Sequence, residues 1–486
     1  MKKKINIIGS GFSALAASCY LAQKGHQVTV FEKNPTIGGR ARQLIKDNFT
    51  FDIGPTWYWM PDVFERFFED FDKKPSDYYE LIKLSPAYKV YFGVNSFVTI
   101  ADNLPEIIAT FETVEKGSGA VLEKFMAEAQ SNYDIAIKDL VYRPGVSPLE
   151  LITPETALKV GQFFSTISKE VRKRFTNDKL IQILEFPVLF LGAKPSDTPA
   201  FYSFMNFADF GMGTWHPKNG MYSVILAIES LARELGVTFK TNASVDKIIV
   251  ENKKAIGISF NDEIDYCDLV LSGADYHHTE TLLEPIDRAY SEKYWEKKTF
   301  APSSLLFYVG FDKKIENVEH HTLFFDVSFK DHAKAIYDKP SWPKEPLFYA
   351  SFPSKTDDSA APIGNEAGIF LIPLAPGIED TPEIRETYFN IIMTRFETIT
   401  EQKVKNNIIF KESFCVNDFI KDYNSYKGNA YGMANTLLQT AFLRPKLKSK
   451  KVKSLFFTGQ LTVPGPGVPP SLISGKLVAE LIEKQD

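Results

Sequence analysis

The apolar positions along the chain fall into blocks with two different periods. Ile5 to Ile8 is a short continuous apolar run, Phe12 to Lys24 has a helical pattern, and Val28 to Glu32 is a second run, so the chain opens on a predicted β-α-β unit. A further strand is expected over Phe49 to Ile53. Residues from about 103 to 215 look helical and are rich in aromatic runs, and Thr153-Pro154-Glu155 has the form of a helix start, with Thr as N-cap and Pro at the first helical position. In the same stretch Phe186 to Leu191 precedes a Pro-rich turn and the aromatic segment Ala200 to Phe207. From Met221 a helix is predicted to about Leu235, followed by strands at Val237 to Thr241, Ser244 to Val250, Ala255 to Phe260 and Asp268 to Ser272. Residues 300 to 375 carry alternating strand patterns such as Ser304 to Gly310, and the chain ends with a strand, Ser454 to Thr458, a glycine-rich turn and a helix.

Strand-helix patterns at both ends, with different material between them, predict one α/β domain interrupted by insertions. A length of 486 residues exceeds one ordinary core. Composition then narrows the classes. With 44% hydrophobic and 24% charged residues the chain is a folded one. The net charge of −5 is dispersed, and the basic clusters Lys2 to Lys4 and Lys446 to Lys453 lack the aromatic interleaving of a nucleic-acid surface, so no nucleic-acid partner is expected. Cys19, Cys267 and Cys415 are far apart and form no CxxC, and the pairs His277-His278 and His320-His321 lack helical i, i+4 spacing, so neither disulfide nor metal is assigned. The start Met1-Lys2-Lys3-Lys4 before an apolar run superficially looks like a signal peptide, but the run contains Gly9 and Gly11 and reads as part of the fold. No stretch reaches the roughly 18 to 20 apolar residues of a membrane span. A cytoplasmic protein, peripherally associated with the membrane, is expected. The 40 Phe residues fill cores or line an apolar tunnel, and composition alone leaves both open.

The chemistry is concentrated at the chain ends. Gly9-Ser10-Gly11-Phe12-Ser13-Ala14 fits GxGxxA between strand and helix: the first Gly permits the turn, the second lets a pyrophosphate approach the backbone, and the third small residue lets helix pack on strand. The helix N-terminus offers N–H groups to the phosphates. Glu32 stands 23 residues after Gly9 at the end of the second strand, where a carboxylate accepts from ribose hydroxyls; Lys33 follows it. Gly38-Gly39-Arg40 gives a second backbone approach with a charge-assisted contact, and Asp52-Ile53-Gly54-Pro55-Thr56 follows the next strand. At the other end Gly459-Gln460 and Gly467-Val468 sit in a Gly/Pro loop ahead of a helix expected from Ser471.

This set of motifs resembles the flavoprotein group that includes amine oxidases, protoporphyrinogen oxidase and the carotenoid desaturases, and it implies FAD. In that group the C-terminal loop brings a backbone N–H and a helix N-terminus to the flavin N1/O2 side, and Val245 stands where a backbone adenine contact is usual. Within the group, Trp215 to Met221, the SGAD segment Ser272 to Asp275, Phe51 to Thr56 and the PGPGVPPSLISGK ending resemble the bacterial-type phytoene desaturase family over nearly the whole chain. The departures are Ala14 for the third glycine, Asn219 within a usual Lys-Gly-Gly-Met, and Pro470 for an apolar residue.

The resemblance implies an α/β fold. A discontinuous Rossmann-like FAD-binding domain comprises residues 1–75, 216–295 and 451–486, a mixed-sheet substrate domain comprises 76–102 and 296–450, and a helical membrane-associating insert comprises 103–215. It also implies desaturation of a lipophilic polyene, phytoene first and a later carotene second, with an electron acceptor that is oxygen or a quinone. No catalytic side chain is named, because the flavin carries the chemistry. Trp57, Trp59, Phe207, Phe210 and Trp215 are the candidate substrate contacts, with ordinary core packing as the other reading. An oxidase of the same fold acting on an amine or porphyrinogen, and a non-catalytic flavin-binding protein, are the competing functions.

Overall fold

In the computed structural model, which describes residues 2–484 and so leaves out Met1 of the basic start, five strands form a parallel sheet in the order Leu455–Phe457, Leu269–Ser272, Lys4–Ile8, Gln27–Phe31, Thr238–Lys240. Its central strand, Lys4–Ile8, pairs Ile5 with Val28 on one side and with Leu269 on the other, so its side chains are buried on both faces. That is why the opening run is continuously apolar instead of alternating. The strands come from three separate parts of the sequence, and each lies within one or two residues of its predicted span.

The helix Phe12–Gln23 is apolar nearly all round and buried. It packs against the helices Tyr222–Glu234 and Val468–Glu483. The second contact is exceptionally close: a Cβ on Gly475 would stand 2.6 Å from the Ser13 carbonyl oxygen and 2.7 Å from the Ala16 Cβ. The last helix begins at Val468, three residues before the predicted Ser471, because Pro469 and Pro470 fit in a first turn, where no N–H is needed.

A second, seven-stranded sheet runs in the order Ile408–Phe414, Ser303–Phe311, Glu366–Leu374, Phe348–Ser351, His321–Phe324, Tyr88–Gly93, Ser96–Ile100. All its pairs are antiparallel except His321–Phe324 with Tyr88–Gly93, which makes the sheet mixed. One face buries Phe307, Phe311, Phe324, Phe348 and Phe370 against the helix Pro382–Ile399. The 103–215 region contains the helices Leu104–Val114 and Ser118–Lys138, followed mostly by short helical turns. Thr153 does cap a helix, its hydroxyl accepting from the Thr156 N–H at 3.1 Å, but that helix ends at Leu158. Among the described residues no helix is long and apolar enough to cross a membrane.

Glycine inside a helix ordinarily costs up to about 1 kcal/mol relative to alanine. At Gly475 the contact with Ser13 and Ala16 reverses that preference, so Gly475→Ala is expected to lower the thermal unfolding midpoint, with overpacking of ~1 to 3 kcal/mol outweighing the helix propensity gained. A raised midpoint would show that the two helices can separate freely.

Candidate active site

One continuous cavity of about 750 Å³ lies between the parallel sheet, the mixed sheet and the helical region. Its walls are of two kinds. At one end they are backbone and charge: Gly9, Ser10, Gly11, Phe12 and Ser13, then Glu32, Lys33, Gly38, Gly39 and Arg40, all line it. Gly54, Pro55, Thr56, Val245, Gly459, Gln460, Gly467 and Val468 line it too. Of the residues expected at a cofactor, Ala14 alone does not; its Cβ would meet a Cβ placed on Gly273 at 2.7 Å, so its small size serves the packing of helix on strand.

Two close approaches build this end. A Cβ on Gly11 would meet nothing within 4 Å, because the position faces the cavity, whereas one on Gly39 would stand 3.2 Å from the Gly11 Cα. Gly54 has no room at all, since its Cβ would lie 2.2 Å from the Arg40 carbonyl oxygen. Three turns distant in sequence therefore meet backbone to backbone, and the cavity wall there is bare backbone.

Glu32 is buried, and its oxygens are engaged within the protein. Oε2 accepts from the Ser10 N–H at 3.1 Å and the Ser10 hydroxyl at 2.6 Å; Oε1 accepts from the Asn34 N–H at 2.9 Å and Nδ2 at 3.0 Å. The carboxylate thus joins the glycine turn to the end of the second strand as well as placing negative charge at the cavity wall. Lys33 donates to the Lys421 carbonyl at 2.7 Å and to Asn424 Oδ1 at 3.1 Å, and partial burial lowers its pKa.

Arg40 is the strongest indication of an anion. Its guanidinium is buried, donates to Ser425 Oγ at 3.1 Å and to the Asn429 carbonyl at 3.3 Å, and leaves Nε without a partner. With its amide oxygen turned inward, Gln460 accepts from Arg40 at 3.0 Å. Burial lowers the Arg40 pKa and the Asp275 carboxylate opposes that; Asp275 is in turn raised by burial and held back by Arg40. A buried cation with a spare N–H beside bare backbone is suited to a pyrophosphate. The sixteen-residue last helix also starts at the cavity; with prolines at its second and third positions, Val468 alone of the first three has an amide hydrogen to offer.

The other end is apolar, lined by Phe186, Leu189, Phe190, Phe201, Phe325 and Leu371 among others. Trp57 and Trp59 face the cavity: Trp57 stacks on His321 at 3.9 Å, and Trp59 donates to Thr214 Oγ1 at 2.8 Å. Phe207, Phe210 and Trp215 do not line it. Phe207 packs on Tyr133 and Phe210 on Phe111, while Trp215 pairs with Lys83 in a small two-stranded sheet and donates to the Met212 carbonyl at 3.0 Å. Phe207 and Phe210 sit in a π-helical segment, Phe207–Gly211, that carries them away from the cavity, and Trp215 begins the short strand Trp215–Pro217 beyond it. The lining residues that sequence reasoning missed include Tyr349 and Leu371, on strands of the mixed sheet, and Phe325, just past the end of one.

Asp52 supports the site from behind. It accepts from the Met221 N–H at 2.8 Å and the Tyr222 N–H at 3.1 Å, at the start of the helix Tyr222–Glu234. Burial nonetheless pushes its carboxyl from 3.8 up to about 6.

A family model described as flavin containing amine oxidoreductase matches residues 12–483. The chain is 39% identical to a carotenoid 3,4-desaturase from Haloarcula japonica, covering 98% of this chain and 97% of that protein. It is 32% identical to a zeta-carotene-forming phytoene desaturase from Myxococcus xanthus, over 98% and 93%. Among solved structures, an oxidoreductase from Methanosarcina mazei shares the fold with a TM-score of 0.64 at 17% identity, covering 99% of this chain and 100% of that one.

Two predictions rest on this geometry. Glu32→Ala is expected to weaken FAD binding by roughly 1 to 3 kcal/mol, the cost of losing hydrogen bonds to a charged partner, measured by fluorescence titration of the apoprotein; unchanged affinity in a folded variant removes Glu32 from the site. For Asp52, a folded-state pKa raised above the unfolded one means that its contribution to stability is fully present below 3.8 and is lost as pH rises through about 6. Asp52→Asn removes that loss, so variant stability gains on wild type between about pH 4 and 6 in thermal unfolding. A difference that stays constant with pH would show that Asp52 titrates normally.

The backbone cradle with its buried arginine, joined to an apolar chamber, accords with the matches along almost the whole length: the chain belongs to the carotenoid desaturases within the flavin containing amine oxidoreductases, and it is an FAD-dependent oxidoreductase acting on CH–CH bonds.

Proposed function

We propose that this protein desaturates a long apolar carotenoid precursor, with phytoene as the substrate. The single observation that carries the reading is the cavity, in which a dinucleotide cradle opens directly into a chamber walled by Phe186, Phe190, Phe201, Phe325 and Leu371. These five side chains offer no charged or hydrogen-bonding group to a porphyrinogen. A second reading, a later carotene, is favoured by the higher identity to the Haloarcula 3,4-desaturase than to the Myxococcus phytoene desaturase. FAD, when bound, supplies the oxidising centre for the two hydrogens lost; oxygen or a quinone is the acceptor beyond it.

In this reading residues 1–75, 216–295 and 451–486 form the FAD-binding part, supported by the parallel sheet that draws its strands from all three. Gly9, Gly11, Gly39 and Gly54 bring backbone to the pyrophosphate, Arg40 neutralises it, and Val468 offers its amide at the start of the last helix. Trp57 and Trp59 orient the chain, and the apolar wall excludes water from the reacting carbons.

A polyene of this class dissolves in the bilayer, so the protein takes it from a membrane surface. Support comes from Leu149, Ile152, Leu158 and Phe164, exposed by 71%, 68%, 88% and 80%, on the same stretch of chain as the cavity-lining Gly145, Ser147 and Glu150. Leu438, also exposed, adjoins the cavity-lining Leu437. Lys446 joins the two segments by donating to the Gly145 carbonyl at 2.8 Å.

The test is to incubate the FAD-loaded protein with liposomes carrying phytoene or a more conjugated carotene and to follow the absorption spectrum. A shift to longer wavelength with phytoene supports the first reading, and a shift with the later carotene alone supports the second. Oxidation of small soluble amines, with both carotenes untouched, would replace both by the amine-oxidase reading. Leu158→Glu with Phe164→Glu is expected to weaken liposome flotation at least tenfold, at about 1.5 to 3 kcal/mol per buried apolar side chain, while leaving FAD bound.

A further inference from the structure

Desaturation releases a proton as well as a hydride equivalent, and a chamber walled by phenylalanine offers water no part in removing it. Two histidines at or behind this wall differ in a decisive way. His332 lines the cavity, but both its nitrogens are held by backbone: Nδ1 accepts from the Leu347 N–H at 2.9 Å and Nε2 donates to the Pro373 carbonyl at 2.8 Å. Protonating it would break the first of these bonds. His321, wholly buried one layer behind the wall, has Nδ1 at 2.7 Å from the Tyr349 hydroxyl, and its Nε2 has no partner. Tyr349 itself lines the cavity, and its hydroxyl lies 2.8 Å from Thr56 Oγ1, two residues after Gly54 of the cofactor cradle. Thr56, Tyr349 and His321 therefore form one hydrogen-bonded line running from the cradle edge, through the chamber wall, to a buried imidazole.

We propose that Tyr349 accepts the proton lost by the substrate and passes its own phenolic proton to Nδ1 of His321. The inference rests on the desaturase reading. In the step, one hydrogen leaves a substrate carbon with both electrons of its bond and goes to FAD, the oxidant of the established activity. The adjacent carbon loses its hydrogen as a proton to Tyr349 Oη, and that bonding pair becomes the new π bond. The phenolic hydrogen moves to His321, so tyrosine ends neutral and the charge rests on the imidazole. For this the hydroxyl of Thr56 donates to Tyr349 Oη, and Tyr349 donates to His321. A carbon next to a centre that has given up hydride is strongly acidic, so a weak base suffices. Tyr349 is the catalytic residue; His321 acts through it and positions it.

The surroundings fit an imidazole that is neutral at rest and charged briefly. Trp57 lies parallel to its ring at 3.9 Å, which stabilises the imidazolium through the indole face. Facing it are His320, at 4.5 Å between ring centres, and His216, whose ring is tilted against that of His320 and which contacts Asp357 at 3.3 Å, with Asp52 beyond. Burial first, and the charge of His216 second, hold the His321 pKa well below the ordinary value, so it is unprotonated throughout the neutral range.

The test uses the FAD-loaded protein with Tyr349→Phe and His321→Asn, mixed anaerobically with carotene liposomes while flavin bleaching is recorded from about pH 6 to 8, where an ordinary histidine titrates. Wild type is expected to bleach at a pH-independent rate. Tyr349→Phe, which loses one oxygen, is expected to keep its FAD and to bleach on the order of a hundredfold more slowly across this pH range. Independently of turnover, nitrogen NMR of labelled protein should show the His321 Nδ1 resonance move toward a free imine in Tyr349→Phe. Wild-type bleaching rates in both variants, or an unmoved resonance, would overturn the proposal and leave the desaturase reading intact. A wild type that desaturates neither carotene would overturn that reading instead.

Discussion

Three stretches of backbone, around Gly11, Gly39 and Gly54, approach one another with no side chain between them, and the other features of the molecule are arranged to permit this. The first requires a strand to stop and a helix to start within three residues; the second must turn back onto it; the third passes so near the Arg40 carbonyl that a methyl group would collide with it. Behind this contact the Phe12–Gln23 helix is fixed by the last helix at Gly475, and Asp52 ties the third stretch to the helix Tyr222–Glu234. The parallel sheet holds these segments in register, although they come from opposite ends of the chain. Sequence separation is thus no guide to spatial separation here: residue 460 and residue 40 share a hydrogen bond.

Much of this end was legible in the sequence because its physics is local. A glycine that must face a ligand, an apolar run buried on both faces, and a carboxylate at a strand end each leave a signature within a few residues. Glu32 shows the limit. Its position follows from spacing, but the four hydrogen bonds from Ser10 and Asn34 need the folded turn, and they make the side chain a structural tie as well as a charge.

The chamber was less legible, for a physical reason. Phe207, Phe210 and Trp215 belong to an aromatic stretch that contains the lining residues Phe186, Phe190, Phe201 and Phe204, and nothing in the order of residues says which face of a short irregular turn looks inward. The π-helical segment at Phe207–Gly211 rotates Phe207 and Phe210 into the framework, and the strand pairing with Lys83 holds Trp215 there. On the mixed sheet the alternation of Phe348, Tyr349, Ala350 and Ser351 is plain, but which face meets the chamber depends on partners far away, Leu371 across one pair and Leu323 across the other. The two readings of the phenylalanine excess turn out to describe different faces of the protein. Phe307, Phe324 and Phe370 fill the core under the sheet, and Phe186, Phe190 and Phe325 line the chamber.

An apolar chamber in a protein with this many tyrosines, tryptophans and histidines needs their polar atoms turned away from it, since an unpaired polar atom in such a wall costs free energy. Several residues of the wall satisfy that condition. Trp59 directs its N–H to Thr214, Tyr202 pairs its hydroxyl with Thr440, and His332 joins two strands through both nitrogens. Each presents a ring to the chamber and keeps its hydrogen bond behind. Tyr349 differs from them: its hydroxyl stands at the wall itself, bonded to Thr56 and to an imidazole with a nitrogen left over. At that point the wall is lined by aromatic surface yet connected to a group that can change its charge, so the constraint that keeps the chamber apolar also determines where a proton can leave it.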